Sequence, residues 1–265
     1  MFRIIVAGLI CSLSCLSVSA QGLIWSLPED GKFATYSGMY TLDDVQTGTK
    51  NEDITTSWKR QLTIKSVGKS DAEYQGASTP CRWVEFKLID AKTEDTKLVA
   101  GPVGEVIYKV LIPESGVVGK VLDDKNLFVN HLPIIRGYRK VGAGETETLP
   151  AGALQVYPVL TLLMHYREIT SDGDENVQDG GVQTAEKLNG KETLESKELR
   201  IINSAMLWKN TDVPFGLVKW EVTQVREKKA ATEPRSTFVK ASEVKTTMTL
   251  DEMGDGAQSD LPDNN

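Results

Sequence analysis

The sequence predicts a mainly β protein made of antiparallel strands. Three observations carry this prediction. Stretches in which apolar and polar residues alternate recur along most of the chain, and that period of two marks strands with one buried and one wet face. After the first twenty residues, the best helix candidate is a single segment, 154–169. The third observation is the stretch 204–225, which reads strand, turn, strand. Ser204 to Trp208 is a short apolar run, and residues 210–216 (Asn-Thr-Asp-Val-Pro-Phe-Gly) collect turn formers. From there Val218, Trp220 and Val222 alternate with Lys219, Glu221 and Thr223.

Taken in order, residues 1–20 have the layout of a secretory signal peptide. Arg3 is followed by an apolar core from Ile4 to Leu16 and by the small residues Val18-Ser19-Ala20 before Gln21. The core falls short of the roughly 20 apolar residues that span a bilayer. Lipidation at Cys15 is the rival reading, but Ser12 stands where a lipoprotein signal carries a large aliphatic residue. The expectation is therefore a secreted or periplasmic product beginning at Gln21, with no transmembrane segment after cleavage. Cys11 and Cys15 leave with the signal, so Cys81 has no partner within the chain for a disulfide. The formal net charge is −7, with 30 basic and 37 acidic residues. That balance argues against nucleic acid or anionic headgroups as partners of the whole surface.

Leu23-Ile24-Trp25 and a turn at Pro28-Glu29-Asp30-Gly31 precede a first strand, with Phe33, Thr35, Ser37 and Met39 on one face. Residues 43–53 read as a polar loop. Trp58, Leu62 and Ile64 then share a parity, with Lys59, Gln61, Thr63 and Lys65 on the other. Residues 66–80, with Gly68 and Gly76, read as a loop. Val84, Phe86 and Leu88 mark a third strand, and Val106, Tyr108, Val110 and Ile112 a fourth, which Pro113 ends for want of an N–H. Residues 127–141 mix apolar and basic residues, and 143–150 read as a linker. Within 154–169, Leu154, Tyr157, Leu160, Met164 and Ile169 fall near one helical face, while Pro158 leaves open a strand over 159–166. Residues 171–183 read as an acidic loop. Strands are expected over 183–188 and 193–202, with Asn189-Gly190 as a hairpin turn. A last strand covers 238–250, and residues 251–265 read as a disordered acidic tail. Residues 21–250 thus form a single β-rich domain.

Candidate chemistry is sparse. His131 and His165 are the only histidines, there is no Gly-x-Ser-x-Gly elbow, and no motif activates Cys81. No enzyme activity is expected. Asp172-x-Asp174-x-Asn176 begins like a calcium loop, but Val177 stands where glycine is needed and Gln183 where glutamate is needed. No metal site and no cofactor is expected. Arg136-Gly137-Tyr138-Arg139-Lys140 is the one basic cluster, either an anchor for an acidic group or an ordinary exposed loop. All five tryptophans lie on expected strands, as core residues or as the lining of a pocket.

The stretch Trp208…Val213-Pro-Phe-Gly216-Leu-Val-Lys219-Trp-Glu221, with a signal peptide, long amphipathic strands and no disulfide, resembles the periplasmic Lol-type lipoprotein carriers and the secreted lipoprotein-sorting-like families that share their half-barrel. The resemblance implies a curved antiparallel sheet with one or a few helices packed on its concave face, which is apolar and holds acyl chains. The chain departs from the carriers in length, in its 66–80 and 170–183 segments and in its acidic tail. In such a sheet the alternation would place Leu62 and Ile64, Val84 and Phe86, Val106 and Tyr108, and Val218 and Trp220 on the ligand-binding side. The expected function is an exported, non-enzymatic binding protein for a lipid, a lipoprotein or another apolar ligand. The alternative is a structural or interaction module of the cell envelope that meets another protein and has no small-molecule ligand.

Overall fold

A computed structural model describes residues 24–45, 54–92, 105–116, 134–149 and 168–261. Residues 1–20, expected as a signal peptide, His131, His165 and most of 154–169 lie outside the described residues. Among the described residues there are eleven strands: β1 (Phe33–Asp44), β2 (Ile54–Tyr74), β3 (Ala77–Lys92), β4 (Glu105–Pro113), β5 (Arg136–Val141), β6 (Glu147–Thr148), β7 (Glu168–Asp179), β8 (Val182–Glu195), β9 (Leu199–Lys209), β10 (Leu217–Lys228) and β11 (Val239–Gly254). They form one antiparallel sheet, ordered β6-β5-β4-β3-β2-β1-β11-β10-β9-β8-β7. Every pair is adjacent in sequence except β1 with β11, which joins two meanders into one sheet. The sheet is not closed, and β6 and β7 are its edges. No α-helix occurs among the described residues, and Ile169, the end of the helix candidate, lies in β7.

Five expectations are corrected. The 66–80 segment is not a loop: β2 and β3 run on to a two-residue turn, Gln75-Gly76, with φ of 54° and 80°. Residues 171–183 likewise belong to the β7–β8 hairpin, which turns at Gly180-Gly181 (φ 56° and 83°). Two consecutive positive φ values suit the right-handed twist of the flanking strands. The β2–β3 hairpin hid from the alternation because its outer end is wet on both faces, and the β7–β8 hairpin because Val177 and Val182 are the only residues of 171–183 that turn into the core, among exposed polar neighbours. Asn189-Gly190 lies inside β8, with Gly190 buried opposite Ala205, and the chain turns instead at Ser196 to Glu198. There Ser196 and Leu199 are bonded N–H to O at 2.8 Å, and the Ser196 hydroxyl accepts the Leu199 N–H at 3.1 Å. In β1 the buried parity is Ala34 and Tyr36, not Phe33 and Thr35. Nor is 251–265 a free tail as far as Leu261, since β11 continues to Gly254 and Leu261 is buried.

Register pairs stack the inner-facing side chains into rows across the sheet. One row runs Tyr108, Phe86, Ile64, Ala34, and the next Val106, Leu88, Leu62, Tyr36, Leu250. A third runs Asp90, Arg60, Gly38, Met248, Trp220, Leu207, Leu188. Trp220 meets Tyr36 edge-on, centroids 4.6 Å apart, and the Tyr36 hydroxyl donates to the Leu217 carbonyl at 2.9 Å. Burying each such side chain contributes about 1.5–3 kcal/mol. The turn before β10 closes this core. Val213, Phe215 and Leu217 are buried, and Phe215 (φ 67°) and Gly216 (φ 94°) bend the chain so that the Phe215 carbonyl accepts the Trp25 N–H at 2.9 Å. Ile24 is thereby seated in the core at 1% exposure.

Candidate functional site

All eight residues expected to line a ligand pocket come together on the inner face, but as packed core. Leu62, Ile64, Val84, Phe86, Val106, Tyr108, Val218 and Trp220 are each at most 5% exposed and belong to one cluster. An open depression of about 570 Å³ exists, but none of the eight lines it; it lies on the opposite face, bordered by Lys191, Met206, Glu221 and Lys245. Side chains already occupy the space the acyl chain was expected to take.

The inner face changes character along the strands. One row beyond Trp220 come Trp58, Tyr40, Thr246, Val222 and Ala205, and after them Leu42, Val244, Gln224 and Asn203. Tyr40, Leu42, Trp58, Val222, Gln224 and Val244 are half-buried, unlike the closed rows before them. At this end Arg60 and Asp90 form a two-pronged ion pair, with Nε to Oδ1 at 2.7 Å and Nη2 to Oδ2 at 2.8 Å. The Arg60 guanidinium also lies 4.4 Å from the centre of the Tyr40 ring, which packs on Trp58 with centroids 5.2 Å apart. Burial pushes the Tyr40 phenol above its usual range, Arg60 pulling against this and Asp90 adding to it. The phenol is neutral at physiological pH and can donate a hydrogen bond.

Asn203, at 1% exposure, is the polar centre of the next row. Its Oδ1 accepts from Gln224 Nε2 at 2.9 Å, whereas its Nδ2 is buried without a hydrogen-bond partner. A buried unpaired donor costs about 1–3 kcal/mol. Sequence reasoning missed this group. Tyr40 and Arg60 share the parity of Tyr36 and Leu62, but an arginine in an apolar register reads as a strand leaving the core. Nothing local in the sequence sets Asn203 and Gln224 apart from other polar strand residues.

The other candidates resolve differently. The basic cluster at 136–140 is strand β5, not an exposed loop: Tyr138 is buried and stacks on Trp83 at 5.7 Å, and Arg139 pairs with Glu147 at 2.6 Å. The calcium-like residues lie extended in β7, where Asp172 accepts from Asn189 at 2.6 Å and Glu175 pairs with Lys187 at 3.1 Å. Among the described residues no group of three or more His, Cys, Asp or Glu side chains could hold a metal ion. Cys81 is buried at 1% exposure, burial pushes its thiol up, and its sulfur donates to the Thr79 carbonyl at 3.1 Å. Arg82, also buried, ties Asp30 (2.8 Å) to Glu114 (2.9 Å) and so fastens the N-terminal turn to the end of β4.

No family model matches the chain, and no curated protein matches it. Among solved structures it is similar to DynF from the dynemicin biosynthesis pathway of Micromonospora chersina. The identity is 8% and the TM-score 0.25, over 95% of this chain and 92% of that one. So slight a likeness carries no argument about fold or function.

Proposed function

We propose that the chain is an exported, non-enzymatic binding protein that takes an amphiphilic ligand at the open end of its inner sheet face. The observation that carries this reading is the unpartnered Asn203 Nδ2 beside half-buried apolar rows. Buried donors are nearly always satisfied, and a ligand carbonyl or carboxylate oxygen supplies the acceptor this one lacks. Leu42, Val222, Val244 and the Tyr40–Trp58 pair supply apolar contact for the remainder, at about 25 cal/mol per Å² removed from water. Export rests on the layout of residues 1–20.

A second reading, an interaction module of the envelope without a small ligand, is favoured by the packing of the eight core residues and by the exposed edge strand β7. Two measurements separate the readings: native mass spectrometry of protein purified without detergent, and titration with a fatty-acyl probe. The binding reading expects a co-purified mass, or saturable tryptophan quenching that Asn203→Leu weakens at unchanged circular dichroism. A protein that carries no added mass and shows no saturable quenching is the interaction module.

A further inference from the structure

On the face away from the core, the last described residues bind back across the sheet. After β11 ends at Gly254 the chain bends at Gly256 (φ 85°), and the Ala257 N–H donates to the Gly31 carbonyl at 2.9 Å. It then crosses β2 and β3 to Leu261. Glu85 on β3 receives it. The side chain is fully buried, and its two carboxylate oxygens accept the Asp260 N–H at 3.0 and 3.1 Å. One of them also accepts the Ser259 hydroxyl at 2.7 Å, while Lys65 balances the charge at 3.1 Å. The Asp260 carboxylate rests between Lys65 (2.9 Å) and Lys87 (3.3 Å). Leu261, 3% exposed, closes a small apolar cluster with Ile107, Tyr138 and Trp83.

This contact is built unlike the rest of the fold. From Ser259 to Leu261 the segment is outside every strand and is held by side chains of the outer face rather than by a backbone ladder. The receiving groups all belong to β2–β5, whose pairing in the sheet involves none of residues 255–261. A fully buried carboxylate is costly unless paired and hydrogen-bonded, and Glu85 meets that condition largely through donors on the segment it holds. The groove therefore has three complementary parts: an acceptor for a hydroxyl and a backbone N–H, a lysine pair for a carboxylate, and an apolar slot for a large side chain.

We infer that the outer face of β2–β5 is a recognition groove for an extended segment of a partner protein with hydroxyl, acidic and large apolar residues in succession. The chain's own Ser259-Asp260-Leu261 occupies it as an intramolecular competitor. A tethered segment competes at an effective concentration on the order of millimolar, so a free segment binds strongly only when the tether is gone. The groove lies on the face opposite Asn203, so its failure and that of the inner-face reading are separable.

The test uses a fluorescent peptide with the sequence of residues 255–261, added to the chain shortened after Gly254 and to the full chain. The expected result is saturable binding to the shortened chain and binding at least about tenfold weaker to the full chain, a difference near 1.4 kcal/mol. Glu85→Gln in the shortened chain, and Leu261→Asp in the peptide, should each weaken binding to a similar degree. A shortened chain that keeps its circular dichroism yet does not bind, or binds the Leu261→Asp peptide equally well, overturns the inference. Should the shortened chain not fold, amide exchange of the full chain decides. Exchange at Asp260 well ahead of Phe86 and Trp220 supports a separable segment; exchange together with them overturns it.

Discussion

Replacing Trp220 by alanine tests the register on which the inner and outer faces depend. Trp220 is 1% exposed, sits between Met248 and Leu207 in its row and meets Tyr36 edge-on at 4.6 Å. Removing a large aromatic from a core costs about 3–5 kcal/mol. Loss of the ring pair, worth about 0.5–1.5 kcal/mol, places this variant in the upper half of that range. Lys219, one residue away, faces outward with 31% of its side chain exposed; it pairs with Glu221 at 3.1 Å and lies 4.5 Å from the Trp208 ring. Partly exposed contacts of this kind are worth about 1 kcal/mol or less together, so Lys219→Ala is the matched control. With a urea slope of about 3 kcal/mol per molar, the midpoint should fall by about 1.3–1.7 M for Trp220→Ala, against about 0.3 M for Lys219→Ala. Equal midpoints would refute the facing of β10, and with it the row that runs from Asp90 to Leu188.

Three further outcomes are expected. Gly216→Ala should destabilise by about 1–3 kcal/mol, the cost of a residue held in a sparsely populated backbone region, because φ is 94° and a Cβ would lie 2.7 Å from Trp25 Cβ; a Tm within error of the parent would contradict this. Burial pushes the Asp260 carboxyl up, but hydrogen bonds and attraction from Lys65, and then Lys87, outweigh it and hold the group below its usual value. A depressed carboxyl contributes its stabilisation above the unfolded value near 3.9 and loses it as pH falls through the folded one. The 255–261 segment should therefore loosen below about pH 4, seen as faster amide exchange at Asp260, and Asp260→Asn should flatten that dependence. Cys81 should react with a thiol reagent only as fast as the chain unfolds, since its sulfur is buried and its thiol is pushed up; a fast stoichiometric reaction in native buffer would contradict its placement.

Strand identity was legible wherever one face of a strand meets the core and the other meets water. That condition holds for Leu62 and Ile64, for Val84 and Phe86, and for Val218 and Trp220, and there the alternation and the structure agree. It fails at 66–80, where the hairpin extends past the core and is wet on both sides, and at 171–183, where Val177 and Val182 alone reach the core among exposed polar residues. It fails differently at Gly190: Asn-Gly signals a tight turn, yet here the glycine is a small inner-facing residue opposite Ala205. The tail misled for a third reason. Composition counts acidic residues, but Asp260 is held by Lys65 and Lys87, and these are distant in sequence and brought near only by the pairing of β2 with β3.

The same reasoning locates what the sequence could say about a site. Alternation reports the parity of a residue but not its row, and the row decides between packed core and open face. Val84 and Val222 both face inward, yet Val84 is closed off among Phe86 and its neighbours while Val222 stands half-buried beside Thr246 and Ala205. Knowing the row requires the register between strands far apart in sequence, above all β1 with β11, which no local pattern encodes. Polar residues of inward parity are the remaining signal. Arg60, Asp90, Asn203 and Gln224 each interrupt an apolar register, and all four fall at one end of the inner face. The four are joined in two pairs, Arg60 with Asp90 and Gln224 with Asn203, and the buried donor that these pairs leave over, Asn203 Nδ2, is the group on which the binding reading stands or falls.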